Sequence, residues 1–159
     1  MNFQGEFRVH ARPADVYTFL CDMRRFALLL PTYVSHVDRG GGVTDVTVAV
    51  GLGRFRGRAT VRLRLVGTDG RERARYVGNG RVFGGRFDLH ANFVVTPCEG
   101  DATLVTWDGS LNIFGRLLAK VGEFIRPVAV RHIDQLVAGV RRTLSPPRDQ
   151  ALPSPSKPV

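Results

Sequence analysis

Between Arg54 and Val66 the chain reads RFRGRATVRLRLV, and it alternates. Phe55, Gly57, Ala59, Val61, Leu63 and Leu65 share one parity; Arg54, Arg56, Arg58, Thr60, Arg62 and Arg64 share the other. Successive side chains of a strand point to opposite faces, so the pattern predicts a long strand with an apolar face and an arginine face. Such a strand belongs to an antiparallel sheet solvated on one side. The apolar row sets a glycine and an alanine between phenylalanine and bulkier aliphatics, which predicts a concave face curving around something.

A chain of 159 residues is long enough for one domain with a sizeable core, and 43% hydrophobic with 23% charged residues makes it globular. No apolar run approaches the roughly 18 residues that span a bilayer. The opening MNFQGEFRVH reads as a strand, so no secretory signal is expected. Cys21 and Cys98 match no metal-site spacing and are expected to be free thiols in a reducing, cytoplasmic compartment. The formal net charge is +9, and of the 23 basic residues only Lys120 and Lys157 are lysine. That balance favours anionic partners. The arginine row from Arg54 to Arg64, joined by Arg71, Arg73 and Arg75, is expected on the convex face. It has no interleaved aromatics for base stacking, which disfavours nucleic acid. An acidic membrane or protein surface fits it better, and a plain solvated face is the alternative.

The order of elements follows from periodicity. A first strand with Phe3, Gly5, Phe7 and Val9 on one face is followed by a helix that Pro13 starts and Asp15 suits. A second short helix, MRRFALLL, has Asp22 as its expected N-cap and Pro31 as its stop. Strands are expected at 33–39, 43–52, 54–66, 71–77, 87–95 and 102–113. Thr68-Asp69-Gly70 is a hairpin turn, and Gly78, Gly80, Gly84 and Gly85 are expected to mark a break or strong bend. Residues 115–144 have a helical stripe with Pro127 inside it, which predicts a kink or a second helix starting there. The tail 145–159 holds five of the nine prolines and reads as disordered, leaving 1–144 as the domain. The expected architecture is α+β: a curved antiparallel seven-stranded sheet around a long C-terminal helix, with two short helices after the first strand.

Candidate chemistry is sparse. The glycines of 78–85 precede a strand, not a helix, so they form no phosphate loop. No histidine pair has metal-site spacing, and His10 and His90 have outward parity. His132 lies on the apolar stripe of the long helix, four residues from both Val128 and Leu136. It is a candidate for orienting a ligand. Neither a nucleophile with its base nor a pair of carboxylates stands out, so no catalytic constellation is expected. Phe55, Tyr76, Phe83, Phe87, Phe93, Trp107 and Phe124 are mostly on apolar parities. With Leu63, Leu89, Ala91, Val128 and His132 they are the candidate walls of an internal pocket, no metal or cofactor being expected.

Five segments carry a resemblance: GEFRVHARPADVYTFLCD at 5–22, VGLGRFRGRATVRLRLV at 50–66, YVGNGRVFGGRFDLHANFVV at 76–95, TLVTWDGSLNIFGRLLAKVG at 103–122 and HIDQLVAGVRRTL at 132–144. In element order the chain resembles the START-like helix-grip (SRPBCC) superfamily, and more narrowly the CoxG type, named for the G subunit of carbon monoxide dehydrogenase. It departs from that type at Trp107 and in a proline-rich tail without a hydrophobic anchor. The resemblance implies a deep apolar cavity holding a lipid- or quinone-like molecule. It also implies accessory service to a molybdenum hydroxylase, peripheral to a membrane. A polyketide cyclase- or aromatase-like enzyme using the same cavity is the alternative, and an interaction module acting through the arginine face is the third reading.

Overall fold

The computed structural model describes residues 1–145, apart from the side chains of Asp69 and Leu118. The expected disordered tail therefore lies outside the described residues, save for Ser145. In chain order the elements are β1 (Asn2–Val9), α1 (Pro13–Cys21), α2 (Met23–Ala27), β2 (Tyr33–Gly40), β3 (Val43–Leu52), β4 (Phe55–Asp69), β5 (Arg73–Val82), β6 (Gly85–Cys98), β7 (Ala102–Phe114) and α3 (Arg116–Leu144). One curved antiparallel sheet has the order β1-β7-β6-β5-β4-β3-β2. It is a meander of hairpins whose last strand returns beside the first.

Turn chemistry sets the hairpins. Gly41 and Gly42, and Phe83 and Gly84, are two-residue loops with both φ angles positive. That conformation matches the right-handed twist of the flanking strands. The expected break falls at its Gly84-Gly85 end, in the Phe83-Gly84 reversal, whereas β5 runs straight through Gly78 and Gly80. Both glycines have physical work inside the strand. A Cβ on Gly80 would lie 2.5 Å from Phe87 Cζ, and one on Gly78 2.8 Å from Leu63 Cδ2. Likewise Trp107 lies over Gly5, and Phe83 over Gly57. These four glycines are thus covered by rings and branches of their neighbours, and are not open floor.

The β4 alternation holds as far as Leu65. A bulge between Leu65 and Gly67 then inserts Val66, which is exposed, and reverses the parity beyond it. α1 buries Val16, Phe19 and Leu20 against Phe7, Val9, Val95 and Val105. Each such side chain contributes roughly 2 kcal/mol. Two hydroxyls lock this end: Thr103 donates to Ala11 O at 2.7 Å, and Tyr76 donates to Leu20 O at 2.7 Å. α2 is shorter than expected, and Asp22 does not cap it with its side chain. Its carboxylate turns to Arg24 instead, at 3.5 Å. α3 is a single helix through Pro127. Both Pro127 and Glu123, whose carbonyl loses its helical partner there, are exposed.

Candidate functional site

Apolar packing inside the sheet is divided into three groups. One gathers under α1 and reaches Val140 of α3. A second lies under α2, with Met23, Ala27, Val46, Val61, Leu63, Ala74 and Tyr76. The third, Leu52 with Ile125, joins the β3–β4 hairpin to the N-terminal half of α3. A domain of this size normally has one contiguous core. Between the second and third groups the inward-facing side chains of Val50, Leu89, Ala91, Leu111, Val128 and His132 are all only half-buried.

The candidate wall residues separate accordingly. Leu63 and Tyr76 are 7% and 3% exposed and belong to solid packing. Burial holds the Tyr76 hydroxyl well above its ordinary pKa. Phe87, Leu89, Ala91 and Phe93 share the concave face of β6 and are half-buried. The ring of Phe93 meets Tyr76 at 6.4 Å and Phe26 at 6.1 Å. Val128 and His132 face inward on α3. Desolvation, aided by the neighbouring Arg131, lowers the pKa of His132 from 6.5, so the imidazole is neutral at pH 7.

Two candidates lie elsewhere, and a third, Phe83, packs half-buried against the Leu52–Ile125 group. Phe124 is 65% exposed and lines no interior wall. It stands one residue from Ile125, about 100° around the helix from the buried seam. Phe55 is 43% exposed at the tip of the β3–β4 hairpin. Phe83 sits in the β5–β6 turn, its ring 6.0 Å from that of Phe55.

Two clefts lie to either side, and none of the six half-buried side chains between the second and third groups lines them. One of about 360 Å³ lies between β1 and α3, lined by Phe3, Trp107, Arg126, Val130 and Ile133 among others. The Arg126 guanidinium stacks 4.9 Å from the Phe3 ring and donates to Asn2 O at 3.3 Å. The other, about 470 Å³, lies between the α1–α2 corner and the Gly40–Gly42 turn, with Tyr17, Cys21, Thr44, Leu65 and Tyr76 on its walls. Both volumes are within the range of small-molecule sites. Burial raises the pKa of the Cys21 thiol, which disfavours its thiolate. Among the described residues no three metal-ligating side chains gather, and no helix is long and apolar enough to cross a membrane. Sequence reasoning missed Phe3 and Arg126. The spacing of Arg126 with Val130 and Ile133 along one side of α3 was visible, but the facing of β1 and α3 was not.

The sheet and its gripped helix recur in solved structures. A conserved protein from Geobacillus kaustophilus aligns with a TM-score of 0.79 at 15% identity, over 91% of this chain and 95% of that one. A START superfamily protein from Mycobacterium smegmatis aligns at 0.60 and 11% identity, over 91% and 99%. The di-domain ARO/CYC protein BexL of the BE-7585A biosynthetic pathway aligns at 0.57 and 16% identity, over 89% of this chain and 45% of that one. At these identities the likeness is one of fold. No curated protein sequence matches the chain. Residues 5–145 match the profile of CoxG, the G subunit of carbon monoxide dehydrogenase, and with that match over nearly the whole described chain, the protein belongs to the CoxG family.

Proposed function

We propose that the domain holds a lipophilic small molecule, lipid- or quinone-like, between the sheet and α3, and serves as an accessory protein to a molybdenum hydroxylase of the carbon monoxide dehydrogenase type. The observation that carries the ligand reading is the divided core. Val50, Leu89, Ala91, Leu111 and Val128 point inward yet keep accessible surface between two packed groups. Burying such surface against an apolar guest is favourable by about 25 cal/mol per Å². The half-buried neutral imidazole of His132 offers one polar contact to orient a carbonyl or hydroxyl of the guest. Family membership supports the accessory role.

Trp107 is the only tryptophan and stands at the wall of the β1–α3 cleft, so its fluorescence reports the interior. Titration with a short-chain quinone should quench it saturably at micromolar ligand, which corresponds to about −8 kcal/mol. Ala91→Leu should abolish the saturable part without lowering the melting temperature. Linear, collisional quenching alone would overturn the reading.

A further inference from the structure

α3 carries two neighbouring stripes with different surroundings. Ile125, Val128 and His132 form the inward one. Arg126, Val130 and Ile133 form the next, about 100° around the axis, and line the β1–α3 cleft. None of the inward residues left between the packed groups lines that cleft, so it is a space of its own.

Its opposite wall is aromatic. Phe3 of β1 and Trp107 of β7 are both half-buried there. Gly5 makes this wall possible. Three indole atoms of Trp107 lie 2.8, 3.0 and 3.0 Å from where a Cβ on Gly5 would stand. With glycine at that position the ring settles against β1 and leaves the cleft open. Across from it Val130, 40% exposed, and Ile133 supply an aliphatic ridge. The space between the two walls is about 360 Å³, within the range of small-molecule sites.

One end of the cleft is cationic. The Arg126 guanidinium is held 4.9 Å from the centre of the Phe3 ring and donates to Asn2 O at 3.3 Å. A guanidinium carries its N–H donors in a fixed fork, and most of them are left for a ligand. Arg126 enters no ion pair among the described residues. Asp134, also on the cleft wall, stands roughly 12 Å further along the helix axis. Its charge opposes a second anion at that end.

We propose that this cleft binds an aromatic monocarboxylate, with the ring between Trp107 and the Val130–Ile133 ridge and the carboxylate on Arg126. The guanidinium fork matches a carboxylate bidentately, and an aromatic ring gains from offset or edge contact with an indole. An alkyl acid would use the arginine without the rings, and a neutral arene the rings without the arginine. The site lies outside the space assigned to the lipophile, so it does not depend on that reading.

The test is isothermal titration calorimetry of the full chain with naphthoate, naphthamide, naphthalenedicarboxylate and decanoate. Naphthoate should bind saturably below millimolar concentration. It should bind about tenfold more tightly than the amide, the weak end for hydrogen bonds to charged groups, because Arg126 is exposed. The dicarboxylate and decanoate should both bind more weakly than naphthoate. Arg126→Gln should erase the preference for acid over amide. Trp107→Leu should weaken both, and so should Gly5→Ala, by turning the indole into the cleft. Arg142→Gln, in the last turn of α3, and Ala91→Leu, in the interior, should bind naphthoate like the parent. Equal affinity for acid and amide, unchanged naphthoate binding in Arg126→Gln, decanoate as tight as naphthoate, or loss of naphthoate binding in Ala91→Leu would overturn the proposal. Native mass spectrometry of Arg126→Gln with quinone reads the lipophile separately, so failure of either reading leaves the other to its own test.

Discussion

Three glycines of the sheet test how its interior is filled, because adding the same methyl group should have three different effects. On Gly51 a Cβ meets nothing within 4 Å. Gly51→Ala should stabilise by about 0.5 kcal/mol, by restricting the unfolded chain. On Gly5 the nearest atoms, at 2.8, 3.0 and 3.0 Å, all belong to the indole of Trp107. That ring is half-buried beside the β1–α3 cleft and can turn into it. Gly5→Ala should therefore cost only about 1 kcal/mol, at the low end of overpacking. On Gly80 a Cβ would lie 2.5 Å from Phe87 Cζ and 2.6 Å from the backbone oxygen of Thr60. Thr60 pairs with Arg81 across the ladder and cannot retreat without breaking it. Gly80→Ala should cost about 3 kcal/mol. At about 2–4 °C per kcal/mol, the third variant should melt roughly 6 to 12 °C lower. The second site separates cause from coincidence. Trp107→Leu should relieve Gly5→Ala, whereas Phe87→Leu should not relieve Gly80→Ala, since the carbonyl remains. Thermal melts of the singles and doubles measure the coupling. If Gly80→Ala melts within about 2 °C of the parent, or Trp107→Leu leaves the Gly5→Ala cost unchanged, the rings do not cover the glycines as described.

Two further outcomes follow from exposure and charge. Ile125→Ala should cost about 2–4 kcal/mol by leaving a hole beside Leu52, whereas Phe124→Ala, on the solvent side, should cost under about 0.5 kcal/mol; urea denaturation of both variants checks the contrast. Asp45 accepts hydrogen bonds from Arg62 and Arg39, which lower its pKa from 3.8 to about 2. Its folded pKa is depressed, so its contribution is present above the unfolded value and is lost as pH falls from about 4 through about 2. Both guanidinium partners are half-exposed, so screening cuts that contribution to about 1 kcal/mol. Asp45→Asn should therefore be less stable at pH 7 by about that amount, and the gap should close near pH 2. A gap that persists there would refute the ion-pair account.

Much of the fold was legible because period-two alternation in β3, β4 and β6 gives a face to every residue, and because glycines mark the hairpins. The reading failed where one residue type serves two purposes. Gly78 and Gly80 looked like a break because glycine usually ends strands, yet here they make room for Leu63 and Phe87. Asp22 does stand at the N-cap of α2, but its carboxylate goes to Arg24 and not to the helix N–H groups. Phe124 looked like stripe because a helix drifts around its partner, and a seam one residue wide is not fixed by composition. The Val66 bulge left no signal, since valine suits either face. In the site, Leu63, Leu89 and Val128 were legible as inward residues from parity and stripe alone. The pairing of Phe3 with Arg126 depends on how distant segments register, which no local pattern encodes.

The central claim is that an apolar molecule occupies the space between sheet and α3. Native mass spectrometry of the purified full-length chain tests it most directly. The account predicts a species heavier than the bare chain by the mass of a lipophile, which organic extraction removes and incubation with a quinone restores, and which Ala91→Leu fails to show. A spectrum of the bare chain alone, unchanged by incubation with quinone or lipid, would contradict it.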